Sequence, residues 1–185
     1  MSVAPAIFLD RDGVINEDGN YVSCVDEFHF IPGSIEAMQS LKEAGWKLIV
    51  VTNQSGIARD IFSEQQFLDL TEWMDWSLVD RSVALDGFYY CPHHPDYGTE
   101  EYRQNCDCRK PKPGMFLQAA KELKIDLATS WMIGDKPSDM QAAKAAGIKH
   151  RLLVKSGKPI TDEGERLAEK VVIDLSDAAK VILSA

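Results

Sequence analysis

Unbroken apolar runs alternate along the chain with stretches whose apolar positions recur at helical spacing. Ala6-Ile7-Phe8-Leu9 is one such run, and Lys47-Leu48-Ile49-Val50-Val51-Thr52 is a second that stops at Asn53-Gln54-Ser55-Gly56. Short continuous runs of this kind predict strands covered on both faces. Between them Ile35, Met38 and Leu41 precede Gly45, which predicts a helix over about 34–44. Ser63 stands as an N-cap for a helical face of Phe67, Leu70, Thr71, Met74 and Leu78, with Trp73 and Trp76 widening it. The segment 86–91 predicts a third strand, followed by a long irregular connection to Pro113. The alternation continues with helix 114–124, strand 130–134, helix 137–146 and strand 151–154, then weaker signals for a strand at 171–173 and a helix at 176–183. Repeated β/α alternation predicts an α/β fold, a doubly wound Rossmann-like parallel sheet, as a single domain over residues 1–185.

Composition narrows the class. The chain is 45% hydrophobic and 26% charged, as in a globular protein, and its net charge of −9 argues against nucleic acid or an anionic membrane surface as partner. Any phosphate site must therefore draw on local cations. No segment approaches the roughly 18 apolar residues of a membrane span, and Met1–Pro5 has no basic leader, so the expectation is a cytoplasmic monomer acting on a small molecule.

Candidate chemistry begins where the first run ends, at Asp10-Arg11-Asp12-Gly13. Alternate residues of an extended chain point the same way, so Asp10 and Asp12 can share one site, one as metal ligand or nucleophile and the other as acid and base. Taken alone, the same tetrapeptide also fits a solvated turn.

A second cluster pairs Cys91-Pro92-His93-His94 with Cys106-Asp107-Cys108. Thiolates and imidazole suit tetrahedral Zn²⁺, and four protein ligands, Cys91, His93, Cys106 and Cys108, leave no open position, so this zinc would be structural. It would pin the irregular loop at about 91–108. His93 mirrors the one-residue gap of the Cys106–Cys108 pair, which leaves His94 to the loop or the substrate. Buried or free thiols are the alternative, and Cys24 reads as an ordinary thiol.

The third cluster, Trp131-Met132-Ile133-Gly134-Asp135-Lys136-Pro137-Ser138-Asp139, again sets an acid behind an apolar run. Helix-dipole complementarity would explain Asp139 as well as metal binding does. A doubly wound sheet, however, brings Asp10, Thr52 and Asp135 to one carboxyl edge. Carboxylates meeting there need a cation, and oxygen ligands suit Mg²⁺. A phosphoryl group would find donors in the Thr52 hydroxyl, the amides after it and Lys110 of Arg109-Lys110-Pro111-Lys112-Pro113, unless that segment is merely a solvated basic loop.

In order, Asp10-Arg11-Asp12-Gly13-Val14, Leu48–Asn53, Arg109-Lys110-Pro111 and Gly134–Asp139 resemble the four motifs of the haloacid dehalogenase superfamily of phosphotransferases. The zinc loop, Thr52–Arg59 and Thr71–Trp76 are similar to those of its sugar-bisphosphate phosphatases, which serve bacterial lipopolysaccharide biosynthesis. The resemblance implies a Mg²⁺ cofactor bound by Asp10, the Asp12 carbonyl and Asp135, with Asp139 in support. It implies Asp10 as the nucleophile forming an aspartyl-phosphate, Asp12 as acid and then base, and Thr52 and Lys110 stabilising the transferring group. Asp18, Gly19, Asn20, Tyr21, Asn53, Gln54, Ser55, Arg109 and Lys136 would bind the sugar phosphate. The short spacings between motifs leave no room for a large cap domain, so the fold is expected to be capless. One departure is Asn20, where the family pattern leads one to expect glycine. Histidinol-phosphate phosphatase is the runner-up; a zinc-stabilised binding module without catalysis is the reading from another class.

Overall fold

A computed structural model describes residues 2–185 of the protein. Its strands are β1 (Ala6–Leu9), β2 (Lys47–Asn53), β3 (Gly87–Cys91), β4 (Trp131–Gly134), β5 (His150–Val154) and β6 (Lys170–Val172). All pair in parallel in one sheet of order β3-β2-β1-β4-β5-β6. The helices are α1 (Ser34–Glu43), α2 (Glu64–Asp80), α3 (Gly114–Leu123), α4 (Pro137–Ala145), α5 (Asp162–Leu167) and α6 (Leu175–Leu183).

The apolar runs are continuous because both faces of the sheet are covered. Ile7 and Leu9 of β1, Leu48 and Val50 of β2 and Ile133 of β4 face a core shared with α1, α2 and α6. Their neighbours Ala6, Phe8, Ile49, Val51 and Met132 face α3 and α4. Fully buried Phe8 packs against Phe116, ring centroids 5.1 Å apart, and burial of such a side chain contributes about 1.5–3 kcal/mol.

Ser63 does cap α2: its Oγ accepts from Gln66 N at 3.1 Å while Gln66 Oε1 accepts from Ser63 N at 2.8 Å, a closed capping box. Trp76 departs from expectation, being 73% exposed, because it lies off the stripe of Leu70, Met74 and Leu78 that meets the sheet; Trp73 does pack on the core. Helix α5 was not expected. Six residues are too few to display helical periodicity, and what starts it is the Thr161 Oγ1 cap accepting from Gly164 N at 3.1 Å.

The chain runs β1, β2, β3 in one direction across the sheet and returns to place β4 on the other flank of β1. A crevice opens outside the strand carboxyl ends at such a reversal. It is bounded by the residues that leave β1, β2, β4 and β5.

Candidate active site

Asp10 follows β1, and its amide donates to Ile133 O on β4 at 3.1 Å, so the start of the first motif is tied to the neighbouring strand. Thr52 is the penultimate residue of β2, Asp135 follows β4, and Lys110 arrives from the connection before α3. All four are buried. The Lys110 ammonium lies 3.2 Å from Asp10 Oδ1 and 2.6 Å from Asp139 Oδ1, and donates to Val51 O at 2.9 Å. Burial works to lower the Lys110 pKa, but the Asp10 and Asp139 charges outweigh it and raise it, so the residue is a fixed cation. Asn53 secures its backbone: the side chain donates to Lys110 O and accepts from Lys110 N, each at 3.0 Å.

Asp139 Oδ2 accepts from the amides of Asp135 and Lys136, both at 3.1 Å, which fixes the first turn of α4. Burial pushes the Asp139 carboxyl up, yet Lys110 and Lys136 bring it below its usual value. Asp135 behaves oppositely. Burial, then the charges of Asp10 and Asp139, push its carboxyl up to about 8. Its Oδ2 accepts from Lys158 N at 2.9 Å, while Oδ1 is buried without a protein partner among the described residues. Carboxylate oxygens of Asp10, Asp135 and Asp139 lie within 4.8 Å of one another. With Asp139 committed to Lys110 and two amides, Asp10 and Asp135 have the free valence that fits a hard divalent cation. Gly13 and Gly157 clear the space: a Cβ on Gly13, whose φ is +87°, would stand 2.6 Å from Asp135 Oδ2, and one on Gly157 would overlap the same oxygen.

Asp12 is held by three donors: Arg11 at 2.7 Å and Asn16 Nδ2 at 2.9 Å on Oδ1, and Gln54 Nε2 at 3.2 Å on Oδ2. Gln54 Nε2 also reaches Thr52 Oγ1 at 2.9 Å, linking the β1 and β2 ends. Arg11 is a buried side chain lying over the Phe28 and Phe67 rings at 5.7 and 5.8 Å. Sequence reasoning assigned it nothing, since strand alternation predicts that the residue between Asp10 and Asp12 faces away from the site, whereas its guanidinium turns back onto Asp12.

A cleft of about 490 Å³ opens above these groups. Of the expected substrate residues, Asp18, Asn20 and Tyr21 wall it after β1, Asn53, Gln54 and Ser55 after β2, and Arg109 and Lys136 complete it. Gly19 is not on its wall and is exposed instead. Asn20 and Tyr21 have φ of 57° and 59°. That left-handed backbone explains why a glycine would be at home at position 20 and why asparagine, which tolerates the region, can replace it. Arg59, the last residue of the Thr52–Arg59 stretch, and Lys158 also line the cleft, and the sequence reading assigned Lys158 no binding role. Lys158 had a usable signal: Ser156-Gly157-Lys158 leaves the carboxyl end of β5, as Asp10 and Asp135 leave theirs.

The second cluster closes as a separate cage. Cys91 Sγ lies 3.5 Å from Cys106 and 2.7 Å from Cys108, and His93 Nδ1 lies 3.7 Å from Cys91 and 3.4 Å from Cys108. These donors can hold a metal ion. The hydrogen bond between Cys108 and Cys91 lowers the Cys108 thiol, favouring a thiolate there. His94 points elsewhere, accepting from Asp96 N at 3.0 Å and meeting Arg59 at 3.4 Å.

The model of the haloacid dehalogenase-like hydrolases matches residues 7–147. The chain is 63% identical over 177 residues to the D-glycero-beta-D-manno-heptose-1,7-bisphosphate 7-phosphatase of Pasteurella multocida, covering 96% of each protein. It is 60% identical over 178 residues to the enzyme of that name from Escherichia coli, with 96% of this chain and 93% of that protein covered. Among solved structures, the D,D-heptose 1,7-bisphosphate phosphatase from B. bronchiseptica, complexed with magnesium and phosphate, superposes with a TM-score of 0.84 at 34% identity, over 97% of this chain and 98% of that one.

Proposed function

Because the chain belongs to the haloacid dehalogenase-like hydrolases, we propose that it is a Mg²⁺-dependent phosphatase that removes the 7-phosphate of D-glycero-β-D-manno-heptose 1,7-bisphosphate. The observation that carries this reading is the partnerless buried Asp135 Oδ1 among the Asp10, Asp135 and Asp139 carboxylates, beside a cleft lined by Asp12, Lys110, Lys136 and Arg109. Asp10, the Asp12 carbonyl and Asp135 would hold Mg²⁺, which supplies charge neutralisation between the acids and the transferring phosphoryl group.

An Asp10 carboxylate oxygen attacks phosphorus as the bond from phosphorus to the sugar oxygen breaks. Asp12 gives that oxygen its proton, so the sugar leaves neutral and an aspartyl-phosphate is left on Asp10. Asp12, now a base, takes a proton from water; the water oxygen attacks phosphorus, inorganic phosphate departs and Asp10 is restored. Lys110 and the Thr52 hydroxyl face the phosphoryl oxygens, and their fixed placement costs little reorganisation as charge shifts. Phosphate-monoester hydrolysis is slow enough in water that accelerations of about 10²¹ are known, so preorganised charge carries most of the work.

Zn²⁺ in the Cys91, His93, Cys106 and Cys108 cage has a structural role in this reading, presenting Arg109 to the second phosphate. Arg109 suits that task by its bidentate geometry. The same reading makes the whole chain one catalytic domain, a cytoplasmic monomer serving lipopolysaccharide-core biosynthesis.

The test is phosphate release by purified protein from the β-heptose bisphosphate and from histidinol phosphate, with Mg²⁺ and with EDTA. We expect Mg²⁺-dependent turnover strongly favouring the bisphosphate, and a loss of about 10⁴-fold or more in Asp10→Asn. Equal, poor rates on both substrates would sink the substrate assignment, and activity surviving Asp10→Asn would sink the mechanism.

A further inference from the structure

Lys158 touches the buried Asp135 carboxylate and the cleft wall at once. Its amide donates to Asp135 Oδ2 at 2.9 Å, and its ammonium donates to Asn20 Oδ1 at 2.7 Å and lies 3.2 Å from Asp18 Oδ2. Its neighbours reinforce the tie, since Ser156 Oγ donates to Gly13 O at 2.8 Å. The segment after β5 therefore straps the loop after β1, from Gly13 beside Asp135 to Asn20 on the cleft wall.

The contacts are built rather than incidental. Asp18 is 10% exposed, and its Oδ1 already accepts from Asn20 N at 3.1 Å, closing an Asx turn that presents the Asn20 side chain to Lys158. Asn20 and the following Tyr21 both sit in the left-handed region, a costly backbone that persists only where surroundings enforce it. A glycine at position 20 would suit the backbone equally well but would offer no oxygen to the ammonium. The Asn20 side chain is thus what converts a permissive turn into an anchored one.

We propose that Lys158 is a positioning residue for substrate specificity: it latches the Asp18–Tyr21 loop over the cleft, and so sets the wall against which the sugar is oriented. This rests on the phosphatase reading above. The latch acts on substrate binding, whereas the metal carboxylate is held by the Lys158 amide, which any side chain at 158 other than proline retains. Its loss should therefore appear in KM and leave the Mg²⁺ requirement alone.

The experiment is a double-mutant cycle of Lys158→Met and Asn20→Gly, with Lys158→Arg as the conservative variant. Each single variant is expected to raise KM for the heptose bisphosphate roughly three- to ten-fold, as for a charged hydrogen bond at a half-exposed site. In each, kcat should change less than about two-fold and the Mg²⁺ dependence should be unchanged. The double variant should be no worse than either single one, and Lys158→Arg should recover most of the loss. The same cycle read by urea denaturation needs no substrate and should show coupling between the two positions. Additive effects on KM, or coupling in stability with no change in KM, would overturn the latch. If the wild-type protein fails to turn over the bisphosphate, the functional reading fails instead, while the denaturation cycle still decides whether the contact holds the loop.

Discussion

The Lys110 ammonium lies 2.6 Å from Asp139 Oδ1, and neither side chain is more than 2% exposed. Asp139 is thus the counter-charge that keeps Lys110 pointing at Asp10, as well as the acceptor for the amides of Asp135 and Lys136. Removing one partner of a buried pair strands the other.

Asp139→Ala should destabilise the protein by about 3–5 kcal/mol, measured by urea unfolding, because Lys110 loses one of its two neutralising charges. Activity should fall with it in the surviving folded fraction. A loss below about 1 kcal/mol would show that the pair is not a structural element.

Stability without metal should depend on pH through Asp135. Its carboxyl is pushed up to about 8 by burial and by Asp10 and Asp139, against about 3.9 in an unfolded chain. Between those pH values the folded protein holds the extra proton, so stability in EDTA should fall as pH rises toward 8 and then level off. Mg²⁺ should flatten that slope, and Asp10→Asn should shrink it by removing one like charge. An EDTA-minus-Mg²⁺ difference of the opposite sign would refute the assignment of Asp135.

Gly157→Ala would set a methyl group against Asp135 Oδ2. The Mg²⁺ concentration giving half-maximal activity should rise at least about ten-fold, the usual effect of disturbing the support of a metal ligand. An unchanged Mg²⁺ titration would mean that the β5 loop yields freely.

Purified protein should carry one zinc per chain by elemental analysis, and Cys108→Ser should lower that content. A loss of about 3 kcal/mol would lower the Tm by roughly 6–12 °C in a chain of this size. Since Arg109 follows Cys108 directly, KM should worsen more than kcat. Full thermal stability in zinc-free Cys108→Ser would remove the structural role.

Asp10, Thr52 and Asp135 were legible in the sequence because each stands at the end of an apolar run, and parallel strands with reversing order deliver such ends to one edge. The Cys91, His93, Cys106 and Cys108 set was legible from spacing alone, because metal ligands must come in close pairs. Arg11 and Lys158 were not assigned a role. Arg11 lies over aromatic rings supplied by Phe28 and Phe67 with its guanidinium turned back onto Asp12, and the Lys158 latch depends on a loop distant in sequence.

The sequence by itself determined the α/β alternation, the acids at strand ends and the thiol pairs, since these follow from local periodicity and spacing. Only the tertiary structure decided that Asp139 serves Lys110 and that Asn53 also clamps the Lys110 backbone. It alone decided that Gly157 must be small and that Gly19 lies off the cleft wall. Those outcomes depend on which atoms from separate strands come within a few ångströms of one another, and hydrogen bonding and close packing act only at that range.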